Sequence, residues 1–157
     1  MKIKWAVLGS AGIARRRTIP EGIVKADNAT LTAVYDINTE ANAEVAAAQG
    51  AQACTSEEEL LGSDADVIYI ATPAVNHCDQ VCRAAKAGKH VFCEKPLSMT
   101  IEECDRALDA CAAQGVKLGT GFMMRFHAQH QAALALIKEG RLGVPVLGRA
   151  QLSCWYP

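Results

Sequence analysis

At 157 residues, 50% of them hydrophobic and 21% charged, the chain has room for one domain with a substantial core and a smaller appendage, and its composition is that of a soluble globular protein. A formal net charge of −1 argues against nucleic acid or an anionic membrane as partner. No apolar run approaches the roughly 20 residues that span a bilayer, and residues 3–9 are too short and too soon interrupted for a signal peptide. The cytoplasm is the expected compartment.

The predicted elements alternate along the chain. Residues 2–9 form a first strand, and 13–25 a helix that Pro20 bends or divides. Residues 30–36 are a second, β-branched strand. An Ala-rich helix at 39–49 follows, capped by Asn38 or Thr39 and stopped at Gly50. A short strand is expected at 51–54, and Ser56 with three acids opens a brief helix whose dipole favours them. Residues 66–71 form a strand apolar throughout, as one covered on both faces should be. Helix 75–87, strand 90–93, helix 101–114 with Thr100 and Glu103 at capping-box spacing, and strand 116–122 complete the series.

This order implies right-handed crossovers and an α/β fold with a doubly wound parallel sheet. After Phe122 the pattern changes to a helix at 127–139, a turn at Gly143-Val144-Pro145, and an alternating stretch at 146–156 expected as a strand. The division follows: a dinucleotide-binding domain over 1–121, and over 122–157 a connecting helix and the first strand of a second domain that is cut off.

The seven cysteines are odd in number and contain no Cys-x-x-Cys pair. Cys78, Cys82 and the nearby His77 are conceivable metal ligands, but free cysteines packing as small apolar residues in a reducing compartment are the expected reading, with no metal.

Two places carry chemistry. Gly9-Ser10-Ala11-Gly12-Ile13 lies in the turn between the first strand and the first helix, where dinucleotide folds hold pyrophosphate against unpaired backbone N–H groups. Gly9 permits the tight turn and Gly12 a close approach, while Ala11 stands where the Rossmann fingerprint has its second glycine. Asp36, at the end of the second strand, can accept the adenosine ribose hydroxyls, and as a helix-capping acid it has an alternative role. No Arg or Lys adjoins it to hold a 2′-phosphate, which favours NAD over NADP. Arg15, Arg16 and Arg17 could reach phosphates but fit a solvated helix face. The second place is Glu94-Lys95-Pro96, an acid, an amine and a proline just beyond a short buried strand, at the sheet edge where open parallel sheets bind ligands.

These residues resemble the family of glucose–fructose oxidoreductases and inositol dehydrogenases. The likeness is carried by the glycine turn with Ala14-Arg15-Arg16, by Ala71-Thr72-Pro73 with His77, by Ala87-Gly88-Lys89-His90-Val91 through Pro96, and by Gly121-Phe122-Met123-Met124-Arg125-Phe126-His127 followed by Gly140-Arg141-Leu142-Gly143. The last run is most similar to the branch of aldose and dihydrodiol dehydrogenases. The chain departs from the family pattern at Ala74, at Ala128 and at Met123-Met124.

The resemblance implies an NAD(P) cofactor, of which Asp36 favours NAD with NADP second, and a sugar, polyol or cyclic diol as substrate. Ala71, Thr72 and Pro73 would line the cofactor groove, with His77 capping or packing nearby or touching the site. Glu94 would bond the nicotinamide ribose, Lys95 would orient the substrate hydroxyl and assist proton transfer, and Arg125 would sit near nicotinamide or substrate. His127 opens a helix and stands as a second cap. Family members also have a second α/β domain that supplies substrate contacts and a homo-oligomer interface. The expected function is the cofactor-binding portion of an oxidoreductase. A dinucleotide-binding module with a sensing or scaffolding role and no turnover is the alternative.

Overall fold

The structure, a computed structural model, describes residues 2–151. The apolar runs become strands of one parallel sheet: β1 (Ile3–Leu8), β2 (Ala29–Tyr35), β3 (Gln52–Ala53), β4 (Val67–Ile70), β5 (His90–Cys93) and β6 (Leu118–Thr120), in the order β3-β2-β1-β4-β5-β6. That order reverses direction between β1 and β4, which opens a crevice at the carboxyl ends of those two strands. The expected doubly wound sheet is the one found.

Alternate residues of each strand face opposite layers. On one side Ala6, Leu8, Ile68, Ile70, Val91 and Cys93 pack with residues of α2 (Glu57–Leu61), α3 (His77–Lys86) and α4 (Ile101–Ala113). On the other, Val7, Val34 and Tyr69 pack with Ala14, Ile19 and Ile23 and with Val45 and Ala46 of α1 (Thr39–Gln49). Tyr69 thereby shares a layer with the segment that follows the glycine turn.

Local signals set the helix ends. The Asn38 side chain accepts from the Ala41 N–H at 3.0 Å and is the cap of α1, while Gly50 closes it at φ 64°. Ser56 accepts from the Glu59 N–H at 3.1 Å. Thr100 accepts from the Glu103 N–H at 3.2 Å, but the returning Glu103 carboxylate takes the Met99 N–H at 2.9 Å, one residue further back than a capping box requires.

Three expectations are corrected. The first helix begins at Ser10, not 13, and Ser10–Ile23 is a wide-turned helical segment containing Pro20 and broken at Gly12 (φ −83°, ψ −122°). The helix expected from 75 is a 3-10 turn at Ala74–Asn76 and then α3 from His77. The strand expected at 146–156 does not form over residues 146–151, which have no regular structure. Alternation makes a strand where a neighbour completes the ladder, and the strands of the described sheet are β1 to β6. The remainder of that stretch lies outside the described residues.

The chain divides into two compact units, Met1–Gly121 and Phe122–Pro157. The second contains a 3-10 turn at Met123–Phe126 and α5 (Ala128–Lys138), which buries no residue.

Six cysteines among the described residues are free thiols, four of them buried. Burial pushes the Cys93 thiol up to about 12, and the neighbouring Glu94 charge adds to the rise. Cys93 therefore stays a thiol, without nucleophilic character, at any ordinary pH. Iodoacetamide at pH 8 is expected to leave Cys93 unmodified in the native chain and to label it in urea. Rapid native labelling, mapped by mass spectrometry, would mean that the end of β5 opens.

Candidate active site at the carboxyl edge of the sheet

Backbone hydrogen bonds continue past the strands and set the following loops side by side. The Gly9 N–H donates to Tyr35 O, Ala71 N–H to Leu8 O, Glu94 N–H to Ile70 O and Gly121 N–H to Cys93 O, each at 2.8 Å. Along this one edge stand Asp36 after β2, the glycine turn after β1, Ala71-Thr72-Pro73 after β4 and Glu94-Lys95-Pro96 after β5.

The glycine turn depends on Gly9. Its φ is +91°, and a Cβ there would stand 2.8 Å from the Ala71 carbonyl carbon and 2.9 Å from Thr72 N. The close approach within the chain thus falls on Gly9, and a Cβ at Gly12 would meet no protein atom within 4 Å. Ser10 is fully buried, and its hydroxyl donates to Asn42 Oδ1 at 2.9 Å, while the Asn42 amide donates to Cys54 O at 3.1 Å. The Ser10 side chain therefore ties the turn to α1 and faces inward. Ile13 is exposed.

Asp36 faces the turn directly. One carboxylate oxygen accepts the Ala11 N–H at 2.8 Å and the other accepts the Asn38 N–H at 2.9 Å. The alternative role for Asp36, a helix-capping acid, is filled by Asn38. Of the three arginines, Arg15 pairs with Glu44 at 2.7 Å and Arg17 with Glu21 at 3.0 Å, all exposed side chains, as on a solvated face.

His77 is buried. Its Nδ1 lies 2.7 Å from Pro96 O and its Nε2 2.9 Å from Thr72 O, so the ring ties the loops after β4 and β5 together. The Thr72 hydroxyl donates to Gln80 Oε1, and the Gln80 amide donates to Glu57 at 3.3 Å. Lys95 is exposed, and its Nζ makes no hydrogen bond or ion pair among the described residues. The Lys95–Pro96 peptide is cis.

The Glu94 carboxylate is held by two hydrogen bonds, in room that Gly121 leaves. Oε1 accepts the Tyr69 hydroxyl at 2.8 Å, Oε2 accepts the Lys95 N–H at 3.2 Å, and a Cβ at Gly121 would lie 3.2 Å from Oε1. Tyr69 itself is fully buried, 2.9 Å from the Thr18 hydroxyl, with its ring 6.0 Å from that of Phe92. Burial lifts the Tyr69 phenol well above its usual range; the Thr18 hydrogen bond opposes the rise and Glu94 reinforces it, so the group remains a donor. Sequence reasoning took Tyr69 as strand filler. Its hydroxyl in an otherwise aliphatic buried strand was the available signal, because a buried tyrosine needs a partner.

In the second unit, Arg125 lies in the 3-10 turn, its carbonyl accepting from the Gln131 amide. His127 stands at the cap position of α5 without a side-chain capping bond, its ring 5.2 Å from that of His130. A hollow of about 540 Å³ in the first unit, lined by Glu58, Arg83, Lys86 and Lys89, lies at the amino end of β5, away from these groups. Two of its cations are already engaged, Arg83 with Glu57 at 2.8 Å and Lys89 with Ser63 O at 2.7 Å. Among the described residues no three His, Cys, Asp or Glu side chains gather as metal ligands would, and no helix is long and apolar enough to cross a membrane.

The residues fit a dinucleotide. The turn leaves open space at Gly12, the segment starting at Ser10 has no side-chain cap and no acid in its first turn, and a carboxylate stands beside it. Such an edge defines a nucleotide-binding α/β domain. Residues 3–122 match the oxidoreductase family with an NAD-binding Rossmann fold, and the chain belongs to that family.

It is similar to a 1,5-anhydro-D-fructose reductase of Ensifer adhaerens, 36% identical over 156 residues, which are 98% of this chain and 46% of that protein. It is also similar to the WlbA dehydrogenase from Bordetella pertussis, solved with NADH and UDP-GlcNAcA, at 33% identity and TM-score 0.83 over 90% of this chain and 41% of the other. KijD10, a 3-ketoreductase from Actinomadura kijaniata solved with NADP, is 30% identical with TM-score 0.82 over 91% of this chain and 46% of the other. The chain thus spans about half the length of these relatives.

Proposed function

We propose that this chain is the cofactor-binding portion of an NAD-dependent oxidoreductase, transferring hydride between nicotinamide and a carbon bearing a hydroxyl of a sugar, polyol or cyclic diol. The observation that carries the reading is the single edge on which Asp36, the open glycine turn and Glu94-Lys95 stand in order. When bound, the nicotinamide supplies the hydride acceptor or donor. The turn from Gly9 to Ile13 receives the pyrophosphate through backbone N–H groups, other than those of Gly9 and Ala11, which Tyr35 O and Asp36 hold. Asp36 accepts the adenosine ribose hydroxyls, and Ala71, Thr72 and Pro73 form the groove wall that His77 braces from behind. Glu94 binds the nicotinamide ribose, and Lys95 holds and moves the proton at the substrate hydroxyl.

Residues 1–121 act as the dinucleotide domain, and 122–157 lead into a substrate-binding domain through which the full-length protein forms a homo-oligomer in the cytoplasm. NAD is preferred over NADP because Asp36 is followed by Ile37 and Asn38, which offer a 2′-phosphate no cation.

Calorimetry tests this on the chain itself. NADH is expected to bind more tightly than NADPH, and Asp36→Ala to cost NADH about 10–100-fold, the worth of hydrogen bonds to a charged group, while narrowing the gap. Equal affinities of the unsubstituted chain for the two would sink the assignment of Asp36.

A further inference from the structure

We infer that Tyr69 is a positioning residue, whose buried hydroxyl fixes the Glu94 carboxylate in the orientation that receives the nicotinamide-side ribose. The inference rests on the reading of Glu94 given above and adds a residue that neither the family resemblance nor the glycine motif singles out.

The direction of the hydrogen bonds carries it. An ionised carboxylate accepts and cannot donate, so in the 2.8 Å contact the proton belongs to Tyr69. A hydroxyl has one proton, so in its 2.9 Å contact with Thr18 Tyr69 is the acceptor. The relay runs one way, from Thr18 through Tyr69 to Glu94. It links the helical segment behind the glycine turn to the opposite end of the carboxyl edge.

Three further features make Tyr69 a fixed support. It is fully buried, its ring packs 6.0 Å from that of Phe92, and Phe92 in turn meets Trp5 edge-on at 6.3 Å. Gly121 leaves room for the carboxylate, where a Cβ would stand 3.2–3.3 Å from its atoms. A carboxylate offers about four lone-pair positions. Tyr69 and the Lys95 N–H take two, which leaves acceptor sites for a vicinal diol such as a ribose presents. Without the tyrosine proton, the half-buried Glu94 side chain is free to swing, and the orientation must be set at each binding event.

The test uses calorimetry on the chain with two probes, NADH and ADP, the second lacking the nicotinamide ribose. Tyr69→Phe keeps the ring and removes the hydroxyl. It is expected to weaken NADH about tenfold, the effect of one hydrogen bond to a charged group, and to leave ADP unchanged. Glu94→Gln is expected to weaken NADH similarly, and the double variant to be little worse than Glu94→Gln alone, because the two groups act as one unit.

Additive losses would overturn the inference. So would equal loss of NADH and ADP in Tyr69→Phe, which would make the hydroxyl a fold contact. If Tyr69→Phe left NADH unchanged while Glu94→Gln weakened it, Tyr69 would lose its role and Glu94 keep its own. An unchanged Glu94→Gln would remove the reading of Glu94 and the inference together.

Discussion

Lys95→Ala, in the protein that carries this chain, is expected to lower turnover by about 10²–10⁴-fold while changing NADH affinity little, the range typical of a lost general acid–base group. Two observations set this lysine apart. Its side chain is exposed with no partner among the described residues, although Glu94 is its neighbour in sequence. The natural way to explain such a lysine away is an ion pair with Glu94, and that pair is not formed: the Glu94 oxygens meet the Tyr69 hydroxyl and the Lys95 backbone N–H instead of the Lys95 amine. The amine stands without a partner among the described residues at the carboxyl edge of the sheet.

An exposed, unpaired side chain contributes little to stability, so the substitution should move the unfolding free energy by no more than about 0.5 kcal/mol. Lys95→Arg sharpens the test. Arginine keeps the positive charge but does not release its proton in proteins, so a role in proton transfer predicts that Arg is nearly as slow as Ala. Turnover restored by Arg would reduce Lys95 to an electrostatic contact. Turnover unchanged in both variants would make it a surface residue, and no turnover in the unsubstituted protein would return the chain to the alternative of a binding module without chemistry.

The fold was legible because its signals are local and repeated. Residues such as Val67 to Ile70 read as a doubly covered strand from hydrophobicity alone, and Asn38, Ser56 and Thr100 announce their helices one cap at a time. The segment after the first strand was not legible in detail. A break at Gly12 and wide turns around Pro20 depend on how the backbone is drawn toward Asp36 and Asn42, contacts 25 and 32 residues away along the chain. The same holds for the site. The Asp36 and Glu94-Lys95 positions stand out as charges after buried strands, whereas the inward turn of Ser10 and the support of Glu94 by Tyr69 need the sheet order before they can be seen. The alternation at 146–151 misled because period two is a property of a paired strand, and sequence does not supply the pair.

Gly9→Ala is expected to destabilise the chain by about 2–5 kcal/mol, the largest effect on stability among these substitutions. Part of the loss is conformational: φ is +91° at this position, and a left-handed residue with a Cβ costs about 1–2 kcal/mol. The remainder is collision, since the added carbon would stand within 2.9 Å of three backbone atoms of Ala71 and Thr72, and overpacking of this kind costs about 1–3 kcal/mol. The struck loop has little freedom to retreat. The Ala71 N–H is bonded to Leu8 O at 2.8 Å, the Thr72 carbonyl lies 2.9 Å from His77 Nε2, and the Thr72 hydroxyl is held by Gln80. Against a total stability of about 5–15 kcal/mol, that loss threatens folding itself. Gly12→Ala provides the contrast, because there a Cβ meets no protein atom within 4 Å. It should lose less stability and instead weaken NADH, by placing a methyl group in the space where the pyrophosphate approaches the turn. Urea unfolding and NADH titration of both variants separate the two roles. Equal urea midpoints for Gly9→Ala and the unsubstituted chain would show that the Ala71–Thr72 loop yields, and the two sides of the crevice would then not be rigidly set by Gly9.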